Sequence, residues 1–168
     1  MEHQPIKSSK TLMTAAILFV LDAFVPNQGA ISIILILLIV LWWLPKSAFK
    51  KYRGQNPKVE LTKALIYGLV AIAVFSSNII NNKIAKGRAN DLIQVIENYH
   101  QTTGQYPQTL TELVPTYLPN VPKAKYTLIF NNFTYINYQG KVLLFYASLP
   151  PFGRPTYVFN RKEWKYID

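Results

Sequence analysis

Three apolar blocks that are almost free of charge dominate the first 80 residues of the chain. They comprise Thr11–Val25, Ala30–Leu44 and Ala64–Ile80. A helix needs about 20 residues to cross the hydrocarbon core of a bilayer, and the first two blocks reach that length when flanking residues are added. The turn-forming residues Pro-Asn-Gln-Gly at 26–29 separate these two blocks. We therefore predict a transmembrane helical hairpin over residues 1–45 and a third transmembrane helix that begins at Ala64.

The basic residues between the blocks predict an orientation in the membrane. Residues 46–63 contain six Lys and Arg side chains against the single acid Glu60, whereas the turn at residues 26–29 is uncharged. Because Lys and Arg accumulate in cytoplasmic loops, we predict that the N-terminus and a basic loop over residues 46–63 lie in the cytoplasm. Everything after Ile80 then lies outside it, which in a bacterial cell places the chain in the inner membrane and its C-terminal domain in the periplasm.

Two features of the first block leave alternatives open. A cleaved signal peptide is disfavoured, because Gln28 stands where a small residue is needed before the cleavage point. Asp22 is the one charge inside an apolar block, and a carboxylate within a membrane is by default a functional hypothesis. We expect instead that Asp22, close to the outer end of its helix, reaches lipid headgroups or water.

The helical period continues beyond the third apolar block. Apolar side chains recur on one helix face, namely Ala85, Ala89, Leu92, Ile93, Ile96 and Tyr99. Proline is absent between Lys58 and Pro107, so a single helix can run from about Thr62 to Thr103. We predict that residues 64–104 form a transmembrane helix that continues into an amphipathic one, ended by Gly104 in a left-handed cap.

The residues after Gly104 predict a β-rich domain over residues 105–168 that packs on residues 81–104. Tyr106-Pro107 favours extended backbone, and Thr109 with Glu112 matches a capping box for a short helix over Leu110–Val114. β-rich runs separated by turn residues follow, and the predicted strands are Tyr126–Phe130, Phe133–Tyr138, Lys141–Ser148, Thr156–Asn160 and Glu163–Ile167. The expected fold is a membrane-anchored α+β protein with an antiparallel sheet of four or five strands.

This pattern over residues 64–168 resembles type IV pilins and, more closely, the pseudopilins of type II secretion. The shared features are a membrane helix that continues into the soluble domain, the Gly-x-Tyr-Pro motif at Gly104–Pro107, a Leu-rich short helix and an antiparallel sheet. The resemblance implies a bacterial envelope protein. No Gly-Phe junction of a prepilin leader precedes Glu60, and two apolar blocks stand upstream instead. We therefore expect the architecture, rather than processing and filament assembly, to be what the chain shares with these families.

The composition offers little material for catalysis. The chain has no cysteine and two histidines, with 18 Lys and Arg against 8 Asp and Glu for a formal charge of +10. No nucleophile, phosphate-loop or metal-binding motif is present, and no basic helix face favours nucleic acid. We predict a protein that is not an enzyme and uses no cofactor or metal. His100 is the nearest thing to a catalytic centre, and we expect it instead to stabilise the C-terminal end of the helix.

Aromatic side chains crowd the last 43 residues and admit two interpretations. They either fill a thin core or form a face for a protein partner, because Tyr, Trp and Arg are enriched at binding hot spots. The predicted partner-binding residues are Phe152, Arg154, Tyr157 and Trp164. We expect membrane lipid and a protein outside the cytoplasm as partners, with roles as an envelope-machine subunit or a toxin-immunity protein. A pseudopilin-like structural subunit is the alternative.

Overall fold

The computed structural model describes residues 6–148 and 154–167 of the chain, with side chains from residue 9 onward. It comprises two compact units, Met1–Asn78 and Ile79–Asp168. The helices are α1 (Ile6–Phe24), α2 (Ala30–Leu38), α3 (Leu44–Tyr52) and α4 (Lys58–Thr103), with a π-helical turn at Ile39–Trp43 and 3-10 turns at Leu110–Leu113 and Phe159–Arg161. The strands are β1 (Phe133–Tyr138), β2 (Lys141–Tyr146), β3 (Arg154–Val158) and β4 (Glu163–Ile167).

The second apolar block forms a longer helix than the sequence indicates. Pro45 lacks an N–H group and interrupts the helical hydrogen bonds. The preceding π-helical turn accommodates it, because the Leu44 N–H donates to the carbonyl of Ile39, five residues back. Helical structure therefore runs from Ala30 to Tyr52, and α4 begins at Lys58. The connection comprises residues 53–57, and the predicted 46–63 loop is largely helical.

Asp22 closes the turn between α1 and α2 rather than reaching headgroups or water. Its side chain is buried, and its carboxylate accepts hydrogen bonds from the backbone N–H groups of Gln28 (3.2 Å), Gly29 (3.0 Å) and Ile31 (2.9 Å). Two of these lie at the start of α2, where N–H groups have no helical partner and the helix dipole favours an anion. The expectation for Asp22 was wrong because its partners come from the turn that follows it.

Polar side chains also join the hairpin to the first part of α4 inside the first unit. Asn27 donates to the Ser77 hydroxyl at 3.1 Å, and Ser32 donates to the Ala71 carbonyl at 2.9 Å. The Asn78 side-chain amide donates to the Asn27 carbonyl at 2.6 Å. Near the other end of the hairpin, the Lys50 ammonium lies 2.8 Å from the Glu60 carboxylate. Hydrogen bonds between helices are a common means of association where the surroundings are apolar.

The second unit is built as its sequence indicates, with one exception. The predicted stripe of α4 supplies buried Ala85, Ala89, Leu92, Ile93 and Ile96 to a core shared with the sheet. Within the described residues, the strands pair antiparallel in the order β1-β2-β3-β4. Gln139 and Gly140, both with positive φ, form the predicted tight turn between β1 and β2. The predicted strand Tyr126–Phe130 is wrong, because this segment forms a loop that bonds to itself.

The segment Gly104–Glu112, which we call the joint between α4 and the sheet, has the predicted helix cap and capping box. Gly104 is left-handed, with φ of 76°, and its N–H donates to the His100 carbonyl at 2.8 Å. The capping box of Thr109 and Glu112 is present, and the Glu112 carboxylate accepts the Thr109 N–H at 3.2 Å. The short helix that follows is a 3-10 turn over Leu110–Leu113. The chain therefore leaves α4 and enters the sheet through backbone bonds that the sequence specifies locally.

Replacing Asp22 tests whether this carboxylate holds the hairpin. Asp22→Ala leaves three backbone donors without their acceptor, so we expect the free energy of unfolding to fall by about 2–4 kcal/mol. Asp22→Asn keeps one acceptor oxygen, so we expect a smaller decrease in the free energy of unfolding. The measurement is chemical unfolding of the purified full-length chain, followed by circular dichroism. Asp91→Ala, at an exposed position of α4, is the matched control. An Asp22→Ala protein as stable as this control would contradict the assignment.

Candidate partner-binding surface

The sheet has two unlike faces, and most of its aromatic side chains lie on the one that packs against α4. This face includes Phe133, Tyr135, Tyr146, Tyr157 and Trp164, which join Phe159 in the core or pack against it. Their rings meet mainly edge to face, as in the Tyr157–Phe159 pair with centroids 5.0 Å apart. Large side chains filling a thin core therefore account for these aromatic residues.

The structure describes three of the four predicted partner-binding residues and places them on two faces of the sheet. Phe152 falls outside the described residues. Tyr157 and Trp164 are cross-strand partners of β3 and β4 and pack against the core. Arg154 is exposed at the start of β3 and, by strand alternation, lies on the opposite face, where its guanidinium is 5.7 Å from the centre of the Phe145 ring.

Lys86 of α4 covers Trp164 from the helix side. Its ammonium nitrogen lies 3.0 Å from the centre of a Trp164 ring, a cation–π arrangement. Burial lowers the pKa of Lys86 from 10.5 to about 8. The Trp164 ring is thus covered by Lys86 on the helix-facing side of the sheet.

The outward face of the sheet carries a strip of smaller apolar side chains. Ile136, Leu143 and Val158 are directly paired across β1, β2 and β3. Ile136 is 39% exposed, and the other two are half-buried in this chain. Charged residues flank the strip on the same face by strand alternation. Lys141 and Arg154 are basic, and Lys165 lies 3.1 Å from the carboxylate of Glu163, the cross-strand partner of Val158. An apolar centre with a polar rim is the usual composition of a protein interface, and sequence analysis missed this strip because it looked for aromatic residues.

His100 is part of the joint. Its ring stacks on Tyr106 with centroids 3.9 Å apart, and the Tyr106 hydroxyl donates to the Glu97 carboxylate at 3.3 Å. Burial, together with the nearby Glu97 charge, raises the pKa of Tyr106 to about 12, so this hydroxyl stays a donor at neutral pH. Two further donors from β1 bind the Pro107 carbonyl, the Tyr135 hydroxyl at 2.9 Å and the Asn137 amide at 3.0 Å. These bonds link the end of α4 to the sheet.

A shallow groove lies beside α4 in the second unit. It has a volume of about 250 Å³ and is lined by Arg88, Asp91, Leu92, Val95, Leu118, Pro119, Asn120 and Pro122. Its walls are mainly apolar, with one cation and one anion at the edge. Among residues 6–148 and 154–167, no three His, Asp or Glu side chains are grouped so that they could hold a metal ion.

Lys125 is a buried cation that the sequence did not single out. Its side chain is 1% exposed, and its ammonium nitrogen has no hydrogen-bond partner among the described residues. Burial lowers its pKa from 10.5 to about 8, because removal from water penalises the charged form. Lysine is almost never fully buried without a partner, so this side chain lowers the stability of the unit at neutral pH.

Comparison with known proteins gives no match to the chain among family models, characterised proteins or solved structures. The resemblance to pilins and pseudopilins therefore stays a prediction from the sequence.

The cost of burying Lys125 predicts an unusual pH dependence. Its folded pKa of about 8 lies below the unfolded value near 10.5, so between these values the unfolded chain binds more protons. The contribution of Lys125 to stability should therefore rise as the pH rises through this window, and its cost is fully present below it. Lys125→Met removes the charge at similar size. We expect it to stabilise the chain by about 1–3 kcal/mol at pH 7, and the difference in stability from wild type to shrink as the pH rises towards about 10.5.

The measurement is the free energy of unfolding of the full-length chain from pH 7 to pH 10.5, with and without the substitution. Lys123→Met, at an exposed position two residues earlier, is the matched control and is expected to change neither quantity. A Lys125→Met protein that is no more stable than wild type at pH 7 would show that this amine is solvated or paired.

Proposed function

We propose that this chain is a bacterial inner-membrane protein whose second unit is an interaction module outside the cytoplasm. The observation that carries the membrane part of the proposal is the arrangement of the first unit, which has apolar side chains outside and polar ones inside. Two helices, Ala30–Tyr52 and Lys58–Thr103, are long and apolar enough to cross a membrane. A buried core helix of a soluble protein would also meet that criterion, so the distribution of exposed side chains matters more.

Large apolar side chains of the first unit are widely exposed on each of its long helices. Examples are Met13 (63%), Leu41 (70%), Leu65 (65%), Leu69 (60%) and Ile72 (65%). The buried positions of the same unit include polar and charged residues, among them Asp22, Asn27, Ser32 and Glu60. Soluble proteins rarely expose contiguous apolar surface on this scale. In lipid the same distribution is favourable, because polar groups can hydrogen-bond to one another inside the bundle and apolar ones face the acyl chains.

The proposed topology places the N-terminus and the connection at residues 53–57 in the cytoplasm. Basic residues surround this connection, and the turn at residues 26–29 is uncharged. The first helix, Ile6–Phe24, carries Lys7, Lys10 and Asp22 within 19 residues and crosses with α2 as a hairpin in this proposal. Helix α4 then leads outward, and the sheet domain lies in the periplasm.

Reporter fusions test the topology. A periplasm-dependent phosphatase fused after Asp168 is expected to be active, because the second unit lies outside the cytoplasm. The same enzyme inserted at Arg53 is expected to be inactive. Green fluorescent protein at the two positions provides the control, since it should report the opposite pattern. Activity at Arg53 and none after Asp168 would overturn the orientation, and equal activity at both would overturn the membrane proposal.

The second unit is proposed to bind a protein through the outward strip of Ile136, Leu143 and Val158. The strip spans three strands, and its flanking Lys and Arg side chains favour a partner with an acidic rim. Roles that fit this proposal are a subunit of an envelope secretion or pilus-like machine and an immunity protein that captures a toxin in the periplasm.

Photocrosslinking in cells tests this surface. A benzophenone amino acid at Ile136 is expected to yield a discrete crosslinked species, because the side chain lies within the proposed contact. The matched control is Gln94, which is exposed on α4 of the same unit and should yield none. Mass spectrometry of the Ile136 species then identifies the partner. Crosslinks from Gln94 and none from Ile136 would move the contact to the helix.

The alternative is a pseudopilin-like structural subunit, favoured by the 46-residue helix α4 that continues into the sheet domain. That role requires removal of the chain before about Val59. Such processing would leave Ser77 and Asn78 without the Asn27 contacts that they make in the first unit. The mass of the mature protein distinguishes the two roles, since retention of α1 and α2 excludes the pseudopilin alternative.

A further inference from the structure

The loop between Ala124 and Asn131 is a closed structure of its own in the second unit. The N–H of Ala124 donates to the Asn131 carbonyl at 2.6 Å, which brings the two ends of the loop together. The Asn131 amide donates to the Thr127 carbonyl at 2.9 Å, and the Thr127 hydroxyl donates to the Ile129 carbonyl at 2.8 Å. Compact surface loops with joined ends are frequently functional.

The tip of this loop is apolar and uncharged, and it is open to the surroundings. Its four large side chains are all exposed, at 66% for Tyr126, 73% for Leu128, 45% for Ile129 and 53% for Phe130. A contiguous run of this kind needs an explanation in a folded domain. It is not a by-product of poor packing, because the adjacent Ala124 is fully buried in the core.

The loop is attached to α4 at the end of the third apolar block. The Tyr126 N–H donates to the side-chain oxygen of Asn81 at 3.4 Å, and Asn81 directly follows Ile79 and Ile80. These two isoleucines belong to the same unit and are 53% and 59% exposed. The core of the unit begins one turn further on, at Ala85. The exposed loop and the exposed isoleucines therefore lie at the same end of the second unit.

The length of the uncharged stretch of α4 indicates what covers this end. Residues 64–82 contain no charged side chain and span about 28 Å of helix, close to the thickness of a bilayer core of about 30 Å. The boundary of the hydrocarbon then falls near Asn81, at the level where the loop is attached. Cations are also placed there, since the Arg88 guanidinium lies 4.1 Å from the centre of the Tyr126 ring and Lys83 and Lys123 are exposed. Aromatic and basic side chains together are typical of the lipid interface.

We propose that the loop Tyr126–Phe130 inserts its apolar tip into the membrane surface beside the point where α4 emerges. This inference rests on the proposed membrane anchorage of α4. In this arrangement Leu128, Ile129 and Phe130 enter the outer edge of the acyl region, and Tyr126 and Arg88 lie among the headgroups. The second unit is then held against the bilayer at two points, the helix and the loop, which restricts how its outward sheet face is presented to a partner.

Site-directed spin labelling tests the insertion. The natural chain has no cysteine, so Leu128→Cys introduces a single labelling site at an exposed position of the tip. The full-length chain is reconstituted into vesicles of phosphatidylcholine and phosphatidylglycerol. Collision of the label with oxygen, which concentrates in lipid, is compared with collision with a water-soluble nickel complex. Tyr138→Cys, which is 66% exposed at the end of β1, is the matched control for the second unit. Ile72→Cys, 65% exposed on α4, reports on the anchor.

The expected result is loss of collision with the nickel complex at Leu128 and Ile72, with oxygen access kept, and free nickel access at Tyr138. If Ile72 lies in lipid and Leu128 stays open to nickel, the insertion is overturned while the anchorage stands. A Leu128 label shielded from both reagents would indicate a second copy of the chain on the loop and also overturns the insertion. Nickel access at Ile72 would overturn the anchorage, and the insertion with it.

Discussion

The packing of the apolar stripe of α4 with the sheet is the interaction on which the second unit depends. Ala85, Ala89, Leu92 and Ile96 are buried in one core with side chains of the sheet. The strands are short, and a sheet of this size needs a helix over one face to be stable. Tyr146 is buried in this core, and Tyr157 and Trp164 pack against it. The opposite face, with Ile136, Leu143 and Val158, is the one left open.

A single helix also gives the two units different surroundings. The first part of α4 shares polar hydrogen bonds with the hairpin and exposes its large apolar side chains, whereas the part after Asn81 buries an apolar stripe and exposes charges. This change, from exposed apolar side chains to exposed charged ones, takes place within about one turn of α4. It coincides with the end of the uncharged stretch at Lys83 and with the attachment of the Tyr126–Phe130 loop. The proposed membrane boundary accounts for all three with one physical cause, the change from hydrocarbon to water.

In this proposal, attachment of the Tyr126–Phe130 loop to the membrane also affects how the outward strip is presented to a partner. Because α4 is part of the core of the second unit, the domain would tilt together with this helix. A second attachment through the loop would restrict that tilt relative to the bilayer, and with it the height at which the outward strip meets a partner. Restricting motion before binding reduces the entropy lost on association. The buried Lys125 lies directly before the apolar tip.

Local patterns in the sequence were sufficient for the helices, the left-handed Gly104, the capping box and the hairpin turn at Gln139-Gly140, because each depends on residues close together along the chain. The partners of Asp22 and the course of the helix through Pro45 depend on backbone hydrogen bonds that apolar periodicity does not reveal. The β-rich run Tyr126–Phe130 has strand propensity but no neighbouring strand, and bonds to Asn131 and Asn81 turn it into a loop. Which face of the sheet is open follows from where α4 packs. That contact joins residues more than 35 positions apart in the chain, and only the folded arrangement specifies it.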